Sequence, residues 1–210
     1  MYLIDKTYFL KSISIPNIEE HNSTELVSLN TSIDRYVRQF IQMTLNNVLF
    51  ADLDTNIIDG VLINTAPQKW LNLVNGCTYT KDGKDYTWQG LKYEQGLYKV
   101  SILAHYTYVN HYQTDINSPM GQIVVIPKNG ININPTQHLV DVWNEFVEMY
   151  QGIYCNEPTN HFYNGVLFVD YYNHNANNGY VSYLQFLMDN KLDYTGYNAR
   201  PLNFKNEFGI

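Results

Sequence analysis

Apolar and polar positions alternate along this chain in three rhythms. Between Asn22 and Val48, the positions Leu26, Leu29, Ile33, Val37, Phe40, Thr44, Leu45 and Val48 advance by threes and fours. That spacing is one stripe of an α-helix. Asn22 and Glu25 stand three apart in front of it, as in a capping box, and Arg35, Arg38, Gln39 and Gln42 fall on the other side. The same rhythm returns in Leu139, Val142, Trp143, Phe146, Met149 and Tyr150. Asn134 caps that helix, Pro135 opens it, Gln137 completes the box and Gly152 ends it. Shorter helical stretches are predicted over Asp5–Ser12, with Asp5 as cap, from Thr65-Ala66-Pro67-Gln68 to Gly76, and over Tyr180–Asn190. The last of these turns Val181, Leu184, Leu187 and Met188 inward.

A second rhythm, of period two, surrounds Asp82-Gly83. Asp-Gly between alternating runs predicts a two-residue β-hairpin. Counting outward pairs Tyr79 with Tyr86 and Cys77 with Trp88, which places aromatic rings across the strands. A further strand is expected over Val166–Tyr172. The third rhythm is continuous. From Trp88 to Gln113 the apolar residues Leu91, Leu97, Val100, Ile102, Leu103, Ala104, Tyr106, Tyr108, Val109 and Tyr112 go round most of a helical circumference, with no proline. This predicts a long central helix buried on all sides. At about 1.5 Å per residue it spans roughly 35 Å, so other helices must cover it. The expected core includes Trp70, Trp88, Leu97, Leu103, Trp143 and Phe146.

Two segments fit none of these rhythms. Residues 114–134 are punctuated by Pro119, Pro127 and Gly130, with a strand-like run from Gly121 to Ile126. A loop of this length in a compact domain usually makes contacts. Pro119, Met120, Gly121, Ile123, Val125, Ile126 and Pro127 are expected to meet a neighbouring subunit by strand addition, because an exposed apolar ribbon on a monomer invites aggregation. The tail from Ala199 carries Leu202, Phe204, Phe208 and Ile210 in an extended setting and is expected to act as a docking arm on another chain, the alternative being that it folds back on its own core. The fold class is therefore mainly α: an antiparallel bundle of four to five helices, with an inserted β-hairpin, a long extended loop and a C-terminal arm. Residues 1–151 form the helical core, with the hairpin at 77–88 and the loop at 114–134. Residues 152–210 form an extension with a short helix and the arm.

Composition narrows the function. The 210 residues are 45% hydrophobic and 16% charged, enough to bury a core. The net charge is −7, and Lys and Arg do not cluster, unlike in a nucleic-acid reader. The start, MYLIDKTYFL, is not a signal peptide. No apolar run nears the ~20 residues of a membrane span. Cys77 and Cys155 stand far apart, as free thiols would in a reducing compartment.

Candidate chemistry is sparse. Asp52, Asp54 and Asn56 alternate like a calcium loop, but Ile57 stands at the turn glycine and Ile63 at the bidentate glutamate, so the stretch reads as a polar inter-helix loop. His105 and His111 are six apart, not the four of a helical metal pair. Asp170 with His174 makes a poor metal pair in a strand or loop. Cys155 with His161 lacks a third member. Glu94 is expected inside the central helix, where a buried carboxylate is either a catalytic acid or, more often, paired with Lys or Tyr. No metal and no cofactor is expected.

The runs LIDKTYFLKSI and NSTELVSLNTSIDRYVRQFI resemble the opening of head–tail connector (adaptor) proteins of tailed bacteriophages. CTYTKDGKDYTWQGLK, the Ser-Pro-Met-Gly loop and the ending RPLNFKNEFGI resemble a branch in crAss-like phages. The likeness covers about residues 2–150 and 178–210; 152–177 has no counterpart. It implies a non-enzymatic virion protein at the portal vertex, made in the host cytoplasm. Its partners would be copies of itself in a dodecameric ring, the portal protein, and tail or further ring proteins. DNA would pass through without specific binding, and no membrane would be involved. A different class remains open, a small binding protein with an aromatic ligand or glycan cleft. A hydrolase built on His161, Asp170 and Cys155 is the third reading.

Overall fold

The computed structural model describes residues 1–18, 24–116, 135–152 and 180–205. It is a helical fold with small hairpins: among the described residues, six α-helices and three antiparallel two-stranded sheets. Two 3-10 turns, Lys6–Tyr8 and Lys11–Ile13, open the chain. The Asp5 side chain caps the first by accepting from Thr7 N at 2.8 Å, as its position predicts.

Helix α1 (Thr24–Thr44) buries Leu29, Ile33, Val37, Phe40 and Thr44, the stripe expected from the periodicity. It stops short of Val48. The Asn46 side chain accepts from Leu49 N at 2.8 Å and starts a new helix, α2 (Asn47–Thr55). Val48 is thereby turned outward, 77% exposed. The segment read as a polar loop after residue 51 is thus partly α2. It continues into strands β1 (Ile57–Ile58) and β2 (Val61–Leu62), joined by Asp59-Gly60. Asp59 and Gly60 both have positive φ, 51° and 80°, which a type I′ turn requires.

Helix α3 (Gln68–Asn75) buries Trp70, Leu73 and Val74. Pro67 stands at its N-cap, with no side-chain cap bond. Strands β3 (Cys77–Lys81) and β4 (Lys84–Trp88) pair in the register counted from the turn, Cys77 with Trp88 and Tyr79 with Tyr86. The two tyrosine rings lie 5.9 Å apart. Gly76 and Gly90 let the two ends of this hairpin cross backbone to backbone. A Cβ on Gly90 would sit 2.6 Å from Val74 O, and one on Gly76 would sit 2.6 Å from Trp88 O.

The long central helix expected from Trp88 to Gln113 is corrected by the structure. Its first half is a second hairpin, β5 (Lys92–Gln95) and β6 (Tyr98–Ser101). Only from Ile102 does the chain become helical, in α4 (Ile102–Ile116). Gly96, with φ +61°, takes the first position of the two-residue turn. Leu97 follows at the tip and is 96% exposed, not buried. Ser101 makes the switch from strand to helix: its hydroxyl donates to Leu91 O at 2.7 Å and accepts from Leu103 N at 3.1 Å.

The rest of the core follows the predicted rhythm. Helix α4 packs between α1 and α5 (Pro135–Gln151), and α6 (Tyr183–Asp189) packs on α5. Phe40 of α1 is where they converge: its ring meets Tyr106, Phe146, Tyr150 and Tyr183 at 5.4–6.1 Å. Trp88 stacks on Phe186 at 5.5 Å and donates to Leu73 O, which ties the first large hairpin to α3 and α6. Trp70, Trp88, Leu103 and Phe146 are buried as expected, while Trp143 is only half-buried and Met188, expected inside, faces outward. Ser182 caps α6, so that helix begins later than the pattern suggests.

Candidate functional site

Pro119, Met120, Gly121, Ile123, Val125, Ile126 and Pro127 lie outside the described residues. So do Phe208 and Ile210, the strand expected at Val166–Tyr172, and Cys155, His161, Asp170 and His174. Of the residues singled out for contacts, Leu202 and Phe204 are placed. Both belong to an arm that lies extended along α5 of its own chain.

The arm is held through its backbone. Gln151 and Asn144 on α5 each use both ends of a side-chain amide. Gln151 Nε2 donates to Leu202 O at 2.9 Å, and its Oε1 accepts from Leu202 N at 2.6 Å. Asn144 does the same with Lys205, at 2.9 Å in both directions. The spacing explains the match. Seven residues of helix rise about 10.5 Å, and three residues of extended chain cover about 10 Å. Between these pairs Trp143 Nε1 donates to Asn203 O at 2.9 Å, and ahead of them Tyr150 OH accepts from Arg200 N at 3.2 Å. The arm therefore runs antiparallel to α5. Leu202 packs against the core, Lys205 Nζ sits over the Trp143 ring at 4.9 Å, and Phe204 faces outward. The amides of Asn144 and Gln151 carried no motif in the sequence; their only signal is two long polar side chains seven apart beside an apolar stripe.

A second polar cluster joins α4, α5 and the chain start. His105 is buried, with Nδ1 on Ser101 O at 2.9 Å and Nε2 3.5 Å from Glu145 Oε2. The Ser12 hydroxyl donates to the same oxygen at 3.0 Å. The hydrogen bond from His105, helped by Ser12, holds the Glu145 carboxyl below its ordinary range. The carboxylate stands between serine and histidine and ties the chain start to α4 and α5. Elsewhere, Asp189 collects Tyr79 OH, Lys81 Nζ and Gln185 Nε2, which pins the hairpin β3–β4 to α6. Glu94 pairs with Tyr8 and, at 3.6 Å, with Lys99. The expected partners of Glu94 are thus present, on a hairpin and not in a helix. The Tyr8 hydroxyl holds the Glu94 carboxyl low.

Asp52 is engaged by Lys69 and Trp70, and Asp54 by Arg38. Among the described residues, no three His, Cys, Asp or Glu side chains gather as metal ligands, and no helix is long and apolar enough to cross a membrane. Cys77 is a half-buried free thiol, pushed up by burial. An open cavity of about 360 Å³ is lined by Asn75, Lys92, Tyr93 and Glu94. No family model, curated protein or solved structure matches the chain.

Proposed function

We propose that the chain is a structural subunit of a head–tail connector ring in a tailed-phage particle. In this reading its helices form a connector-type antiparallel bundle of four to five helices, it sits beneath the portal, and DNA passes through without specific binding. The observation that carries the reading is where the apolar side chains are left outside. Leu97 stands at one hairpin tip, Ile58 and Val61 at another, Val48 at the α1–α2 corner and Leu192 after α6. A ring built head to tail needs each subunit to offer two different surfaces, and outlying apolar residues on separate elements suit that. The rival reading, a binder with an aromatic cleft, is less well supported. Trp70 and Trp88, two of the rings such a cleft would need on its surface, are buried among other rings.

The test is a knock-out in the phage that encodes the chain. The expected product is DNA-filled or emptied heads without attached tails, restored by supplying the chain in trans. Normal tailed particles from the knock-out would overturn the proposal.

A further inference from the structure

We draw no further inference here: the strongest candidate, the exposed apolar pair Ile58 and Val61 facing each other across hairpin β1–β2, already belongs to the ring reading, and nothing in the structure shows what covers it.

Discussion

Leu103 and Leu97 belong to the same apolar run, six residues apart, and their environments are opposite: one fully buried, the other at a hairpin tip. Leu103→Ala should cost about 2–5 kcal/mol, because a cavity opens in a filled core. Leu97→Ser should change stability by no more than about 0.5 kcal/mol, since nothing packs on it. Urea unfolding of the two variants checks both numbers. Glu145 makes a second residue-scale prediction. His105 and Ser12 hold its carboxyl below the ordinary value of 4.5. The folded chain therefore releases that proton more readily than the unfolded chain, and the stabilisation is present at neutral pH. It should fade as pH falls below 4.5 through the lowered folded value. Glu145→Gln should lack that part of the acid limb, measured as the midpoint of thermal unfolding against pH. A variant that follows the wild type through this range would show that His105 and Ser12 do not hold the carboxylate.

At the scale of elements, the hairpin β3–β4 was legible to the register because Asp-Gly admits few alternatives and alternation counts outward from it. Helices α1 and α5 were legible because a single apolar stripe at helical spacing has one interpretation. The segment 88–113 was misread for a physical reason. Its apolar residues fit a helix on all sides, but they also serve as two half-buried strands followed by a buried helix. Two glycines argued for the second option. Gly90 and Gly96 would each cost a helix interior about 1 kcal/mol, and both adopt positive φ here. Lys92-Tyr93-Glu94 and Tyr98-Lys99-Val100 alternate around Gly96 as a hairpin does. The arm's docking surface had no such signal, because an amide that reads backbone leaves no pattern in the chain it reads. A prediction belongs to the glycine crossing. Gly90→Ala combines strained φ with a backbone clash at Val74 O. It should destabilise by more than about 1 kcal/mol and release the hairpin from α3. Hydrogen exchange at Leu91 N, which donates to Leu73 O, should then rise more than exchange in α1. Equal protection in the variant and the wild type would remove the crossing from the account.

At the scale of the whole molecule, the high tyrosine content does structural work. Burial pushes Tyr183 and Tyr194 above the usual phenol range and Tyr150 up to about 12. The neutral forms are thus favoured in the folded chain. Their stabilisation is complete below the unfolded phenol value of about 10 and is lost as pH rises above it. Ultraviolet titration should show Tyr150, Tyr183 and Tyr194 ionising only with unfolding; their ionisation near pH 10 in the folded chain would contradict this packing. The net charge of −7 acts at the same scale. On the proposed reading, a duplex moving through a ring of such subunits would meet repulsion more than phosphate capture. The isolated chain is accordingly expected not to retard duplex DNA in a gel at physiological salt.

The ring itself is tested most directly by cryo-electron microscopy of the portal vertex in purified particles. The account predicts a closed ring beneath the portal into whose density α1, α4, α5 and the hairpin β3–β4 fit. A portal vertex built from other chains, with this one absent from the particle by mass spectrometry, would contradict it.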